Sequence, residues 1–177
     1  NESLHIPVIL AQSGLVETVY NDFHIGADCD VTIVAGCGIH NGGGEKSEHS
    51  GIHAFYLGEN ARVKYVEKHY GSGDGRGRRI LNPVTEVYME EGSSMEMEMV
   101  QIKGVDSSER ETDITLEAGA KLFVTERLMT HDKQTATSSS FTFNTSSEAG
   151  GIYTIMLVVE DSNGNKYSAE YQVTVTK

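Results

Sequence analysis

Apolar and polar residues alternate along most of this chain, and the alternation recurs in four similar units. The units begin at Phe23, Phe55, Val87 and Ile114 and read FHIGADCDVTIV, FYLGENARVKYV, VYMEEGSSMEME and ITLEAGAKLFVT. Alternation with a period of two predicts β-strands, because successive side chains of a strand point to opposite faces. Each unit is interrupted by a turn-forming triplet, GAD, GEN, EEG or EAG, whose residues tolerate the left-handed backbone conformation. The pattern therefore predicts strand, turn and strand in every unit.

Repetition at intervals of roughly 30 residues is typical of a solenoid, in which each unit stacks on its neighbour. The segment MEMEM predicts that Met95, Met97 and Met99 line the interior while the intervening glutamates face solvent. No stretch has a convincing 3.6-residue period, so we expect little helix. The sequence thus predicts an all-β solenoid of about four rungs.

One position directly after each triplet holds a small residue, as a narrow corner would require. This position is occupied by Cys29, Ala61, Ser93 and Ala120. Cysteine is often used as a small buried hydrophobe. We therefore expect Cys29 to be buried at the corner of its rung.

The amino-acid sequence changes character after about residue 140. The segments YTIMLVVE and KYSAEYQVTVT alternate and are joined by DSNGN, which predicts an antiparallel hairpin. This tail resembles the last strands of a PKD or other immunoglobulin-like module, but it is far shorter than the roughly 90–100 residues of a complete one. We divide the chain into 1–139 and 140–177. The tail is a fusion, a natural join or a hairpin that caps the last rung, and an artificial or composite join is favoured.

The composition excludes several classes of function. The chain has 177 residues, 26 acidic and 14 basic, and a formal net charge of −12. A protein that binds nucleic acid or an anionic membrane needs a clustered basic face, which this balance argues against. Two cysteines are too few for a disulfide scaffold. The chain has neither a membrane-spanning run nor a signal-peptide pattern, and the start at Asn1 suggests a processed or partial chain.

The polar stretch CGIHNGGGEKSEHSGIH contains the chain's best candidate for a metal site. We expect it to be a loop between strands that end near Ala35 and resume near Gly51. The four candidate ligands are Cys37, His40, His49 and His53. Thiolate and imidazole suit Zn²⁺ or Fe²⁺, and Glu45 and Glu48 could orient an imidazole from outside the coordination sphere.

A simpler interpretation is that the same stretch is a polar loop whose side chains are satisfied by the protein itself. His69 could then continue a ladder of histidines with His53 or His40 on neighbouring rungs. Handling of iron or sulfide in transit, with Cys37 as an exposed thiolate, belongs to the metal-binding alternative.

Several segments also resemble the SufB/SufD family of iron–sulfur cluster assembly proteins. They are VYNDFHIGADCDVTIVAGCGIHNGGGEKSEHSGIHAFYLGENARVKYVEKHYG, NPVTEVYMEEGSSMEMEMVQIKGVDS and LFVTERLMTHDKQTATSS. The resemblance covers about residues 4–139. It implies a right-handed parallel β-helix, in agreement with the repeat, and a cytoplasmic, non-enzymatic scaffold that works with a partner ABC-type ATPase. An iron–sulfur cluster, Fe or Zn would then be bound transiently.

The departures from the family are equally specific. In the family the β-helix continues for several more rungs into a helical segment that docks the ATPase. The residues tied to cluster assembly lie in that later region, so none of their roles is carried over. We expect a truncated scaffold that fails to hold the ATPase in a pull-down, and a homo- or heterodimer through open rung edges.

Two functions from other classes remain as alternatives. The immunoglobulin-like tail is compatible with an extracellular β-rich binding or adhesion module. An enzyme acting on acidic polysaccharide in a groove would need residues such as Glu67, Lys68 and Glu86, but the negative charge opposes it, and strand Glu and Lys usually face solvent. The segment GSGDGRGRR lacks the G-K-[ST] ending of a phosphate-binding loop.

Overall fold

The computed structural model describes residues 3–128, 136–145, 151–160 and 163–175, and the regular structure within them is entirely β-strand. The strands are β1 (Leu4–Leu10), β2 (Val16–Ile25), β3 (Asp30–His40), β4 (Ser47–Leu57), β5 (Arg62–Ser72), β6 (Arg79–Leu81), β7 (Val84–Met89), β8 (Ser94–Lys103), β9 (Ser107–Leu116), β10 (Lys121–Leu128), β11 (Ala136–Thr145), β12 (Gly151–Glu160) and β13 (Lys166–Val175).

The strands form two sheets, and from β2 to β12 the chain passes repeatedly from one to the other. The front sheet has the order β1-β3-β5-β8-β10-β12-β13. The back sheet has the order β11-β9-β6-β4-β2, with β7 also paired between β4 and β9. Neighbouring strands are parallel except β12 and β13. The prediction of an all-β parallel solenoid is therefore confirmed.

The four sequence units stack in the register that their alignment predicts. In the back sheet, Phe23 lies opposite Phe55, Phe55 opposite Val87, and Val87 opposite Ile114. Equivalent positions of successive units are thus neighbours, which is how a solenoid buries a continuous core.

The predicted turns form the tight corners between the back and front sheets. The third residue of each triplet has the left-handed conformation, with φ of 59° at Asp28, 57° at Asn60, 68° at Gly92 and 69° at Gly119. Asp, Asn and Gly are the residues that adopt it at the lowest cost.

The prediction that Cys29 is buried at its corner is wrong. Ala61 and Ser93 are fully buried at the equivalent place, whereas the Cys29 thiol is exposed. Cys29 is exposed because β1 begins opposite Ile33 and does not cover the corner at Cys29.

The apolar core is divided in two. A large cluster near the tight corners includes Met95, Met97 and Met99, all buried as the alternation predicts. A smaller cluster near the opposite loops comprises Leu10, Cys37, Ile39, Leu81 and Val105. Polar side chains occupy the interior between the two clusters.

The loop predicted around residues 36–50 is shorter than expected. Strand β3 continues to His40 and β4 begins at Ser47, so only residues 41–46 connect them. Buried positions alternate on both sides, with Cys37 and Ile39 inside in β3, and Ser47 and His49 inside in β4. Cys37, His40 and His49 are therefore strand residues.

The C-terminal segment continues the two sheets. Strand β11 pairs in parallel with β9, and β12 pairs in parallel with β10. Strand β13 then pairs antiparallel with β12, as the predicted hairpin requires. Strand β11 spans residue 140, where the sequence changes character. The described residues contain no helix long and apolar enough to cross a membrane.

Candidate functional site in the solenoid interior

The centre of the solenoid contains charged side chains that the strand pattern delivers from β5. Period-two alternation turns Tyr65, Glu67 and His69 inward, and these three are almost completely buried. Lys64 and Lys68, on the other face of the same strand, are exposed. Sequence analysis placed Glu67 on a solvated face with Lys68, and that was wrong for Glu67.

A buried ion-pair network joins the two sheets. Arg110 from β9 places Nη1 2.5 Å from Glu67 Oε2 and Nε 3.2 Å from Glu126 Oε1 in β10. The same Nη1 lies 3.1 Å from the sulfur of Met99. Burial raises the pKa of Glu67, but Arg110 and then His69 outweigh burial and hold this pKa well below its usual range. Glu67 is therefore a carboxylate in the folded protein.

Two further side chains complete the hydrogen bonds of Glu67. The Tyr65 hydroxyl donates to Glu67 Oε1 at 3.0 Å. Arg110 Nη2 lies 3.4 Å from His69 Nδ1, and His69 Nε2 lies 3.5 Å from Glu67 Oε1. Because a guanidinium only donates, Nδ1 of His69 is the acceptor in its contact with Arg110, and Nε2 faces the carboxylate.

Cys37 borders this network from the adjacent strand, where it lies opposite His69. Burial and then the nearby Glu67 raise the pKa of the Cys37 thiol to about 12. Cys37 is thus a protonated, buried thiol. The expectation of an exposed thiolate at Cys37 was wrong, and the exposed thiol is Cys29.

Two buried histidines of β4 converge over a glycine. A Cβ at Gly51 would lie 2.9 Å from His53 Nε2 and 3.6 Å from His49 Nε2. Among the residues that the structure describes, neither Nε2 has a hydrogen-bond partner, and His53 Nδ1 has none either. Burial lowers the pKa of both imidazoles, so both are neutral and able to accept a ligand.

His49 is oriented by a carboxylate that sequence analysis did not identify. Its Nδ1 lies 3.3 Å from Glu17 Oε2 in β2. Glu48, which was expected to serve the loop's histidines, instead accepts hydrogen bonds from Lys46 at 2.8 Å and Asn82 at 3.3 Å.

A column of buried polar side chains crosses the back sheet, and several of their atoms have no hydrogen-bond partner among the described residues. Asn21, His53, Thr85 and Thr112 lie opposite one another on four successive strands. None of the following atoms has a hydrogen-bond partner in the described part of the chain: Asn21 Nδ2, both ring nitrogens of His53 and both threonine hydroxyls. A buried polar group without a hydrogen-bond partner destabilises the folded state, and it marks a position where a polar ligand can bind.

The structure brings together only some of the predicted metal ligands. Cys37, His49 and His53 lie in the interior. His40 is exposed, and its Nδ1 lies 3.1 Å from the hydroxyl oxygen of Ser72. The predicted ladder of His69 with His53 or His40 does not form, since His69 lies opposite Cys37 and Gln101. In the part of the chain that the structure describes, no group of three or more His, Cys, Asp or Glu side chains is arranged to hold a metal ion. The four-ligand site stays a prediction.

Comparison with known proteins adds no relative to this description. A scan of protein-family models, a search of curated proteins and a search of solved structures each gave no match to the chain.

Proposed function

We propose that the chain is a non-catalytic scaffold component of iron–sulfur cluster assembly, as members of the SufB/SufD family are. One observation carries the proposal: the rungs that resemble the family enclose thiol and imidazole groups. Cys37 and His69 are buried in the front sheet, and His49 and His53 are buried in the back sheet. Thiolate and imidazole are donors suited to iron.

The interior groups suit transient rather than permanent binding of iron and sulfide as cargo. His49 and His53 are neutral, and the Nε2 atom of each has no hydrogen-bond partner among the described residues. Cys37 must lose its proton before it can bind a metal, so loading would release a proton and depend on pH.

Anaerobic loading with Fe²⁺ and sulfide tests the proposal. After desalting, the wild-type chain is expected to retain both, whereas Cys37→Ser and His53→Leu lose most of each. His5→Ala is the control, because His5 is an exposed histidine of β1 that lies outside the predicted set of ligands. Circular dichroism confirms that each variant is folded. A wild-type chain that retains no iron, or retention that is equal in all variants, would overturn the proposal.

Association through strand edges belongs to the same proposal. Strands β1 and β2 lie at the same end of their respective sheets, and exposed edges of this kind pair readily with other chains. Val16 is 60% exposed and Tyr20 is 71% exposed on β2. A dimer of this chain or with a homologous chain is expected by light scattering, and Thr18→Pro on β2 should weaken it. A monomer at every concentration would remove this part of the proposal.

A further inference from the structure

The outer face of the back sheet carries a stack of aromatic rings. His24, Tyr56, Tyr88 and Thr115 lie opposite one another on β2, β4, β7 and β9. The rings of His24 and Tyr56 are 4.7 Å apart and 7° from parallel, and those of Tyr56 and Tyr88 are 5.0 Å apart and 4° from parallel. Both faces of the Tyr56 ring are therefore covered by its neighbours.

The aromatic stack ends at Tyr88, although the row of opposed residues continues over two more strands. The next position is Thr115, followed by the exposed Asn144 on β11. Neighbouring strands are about 4.8 Å apart, which is close to the spacing of the stacked rings. Thr115 occupies the position where another aromatic residue would continue the stack. A space about as thick as one planar group is therefore left beside the second face of the Tyr88 ring, and Tyr88 is 41% exposed.

A groove runs beside the stack across four rungs. It has a volume of about 530 Å³ and is lined by the ring column and by the residues that follow it at each rung, including Gly26, Gly58, Glu90 and Glu117. An extended ligand lying along the solenoid axis would reach the space over Thr115.

The surroundings of the open space are acidic. The Tyr88 hydroxyl donates to Glu86 Oε2 at 3.1 Å, and Asp113 lies opposite Glu86 on the next strand. Glu90, which lines the groove, accepts a hydrogen bond from the Glu59 amide at 3.1 Å. The described lining contains carboxylates and no Lys or Arg, so it selects for a cation.

We propose that this groove binds a peptide segment containing arginine, whose guanidinium continues the ring stack over Thr115. A guanidinium is planar and always charged, so it can both stack on Tyr88 and pair with the carboxylates of Glu86 and Asp113. A lysine ammonium satisfies the charge but has no plane to stack. A neutral sugar or aromatic group satisfies the shape but gains nothing from the carboxylates. The inference does not depend on iron–sulfur assembly.

Calorimetric titration of the full chain with matched peptides tests the assignment. A peptide of alternating glycine and arginine is expected to bind about tenfold more tightly than its lysine counterpart, which corresponds to the stacking contribution. Thr115→Tyr should extend the stack, fill the space and weaken arginine-peptide binding by about tenfold, whereas Thr115→Ser leaves it unchanged. Thermal melting verifies that Thr115→Tyr folds.

Three outcomes would overturn the proposal. The first is absence of arginine-peptide binding by the wild-type chain. The second is equal affinity for the arginine and lysine peptides, which would reduce the groove to a diffuse acidic surface. The third is binding of a neutral oligosaccharide that Thr115→Tyr abolishes, which would assign the groove to a different class of ligand.

Discussion

Arg110 of β9 reaches across the solenoid interior to Glu67 of β5, where its Nη1 lies 2.5 Å from Oε2. The two side chains are 3% and 0% exposed, so this ion pair joins the two sheets out of contact with water. Charges in such an environment are expensive to bury, and the pair is tolerated only because each member neutralises the other.

Removal of one partner should therefore destabilise the fold strongly. For Arg110→Met we expect a loss of about 3–5 kcal/mol in the free energy of unfolding, because the Glu67 carboxylate is left buried and unpaired. Urea denaturation at neutral pH measures this loss. The double variant Glu67→Gln with Arg110→Met should recover a large part of it.

A comparable ion pair nearer the surface provides the control. Arg127 pairs with Glu98, and their side chains are 33% and 28% exposed. Arg127→Met should cost no more than about 1 kcal/mol, because exposed pairs contribute little. Equal losses for Arg110→Met and Arg127→Met would contradict the assignment of Arg110 as a buried structural charge.

Neutral buried histidines should make the protein less stable in mild acid. Burial lowers the pKa of His49 and His53 in the folded chain below the usual 6.5, so the unfolded chain binds more protons around that pH. The free energy of unfolding should then fall from about pH 7.5 to about pH 5.5, by at most about 1.4 kcal/mol per pH unit for each histidine.

The variant His53→Leu isolates one contribution to this pH dependence. It removes a titrating group, so the slope of stability against pH should become shallower over the same interval. Arg127→Met, which leaves both buried histidines in place, should keep the wild-type slope. A His53→Leu slope identical to that of the wild type, or stability that rises as pH falls, would be incompatible with a neutral buried His53.

The rung register could be predicted from sequence because the corners are local. Asp28, Asn60, Gly92 and Gly119 supply left-handed residues at a fixed offset, and alternation on either side fixes which face is buried. These two signals align the units without knowledge of distant contacts.

The interior charges could not be predicted in the same way. Alternation places Glu67 and Lys68 on opposite faces, but a carboxylate is buried only if it has a partner. That partner, Arg110, lies 43 residues later in another unit. The exposure of Cys29 and the burial of Cys37 depend similarly on how far β1 extends, since β1 precedes the repeats.

The two buried threonine hydroxyls allow a test of whether the solenoid interior binds a polar ligand. Thr85 and Thr112 are 0% and 1% exposed, and neither hydroxyl has a hydrogen-bond partner within the described ranges of the chain. Replacement by valine keeps the shape and removes the unpaired group, so Thr85→Val and Thr112→Val should each stabilise the fold by about 1 kcal/mol. Thr142→Val, at an exposed position of β11, is the control and should change stability little. Destabilisation by both Thr85→Val and Thr112→Val would show that the two hydroxyls bind a polar ligand.

The two cysteines should differ sharply in reactivity, because one thiol is exposed and the other is buried beside a carboxylate. Cys29 is accessible to a chromogenic disulfide reagent, whereas burial and Glu67 raise the pKa of Cys37 to about 12 and disfavour the reactive thiolate. We expect one thiol per native chain to react rapidly, and the second to react only when denaturant opens the fold. Cys29→Ser should abolish the rapid phase and Cys37→Ser should retain it. A rapid phase that survives in Cys29→Ser would place Cys37 at the surface and remove it from the interior set of candidate ligands.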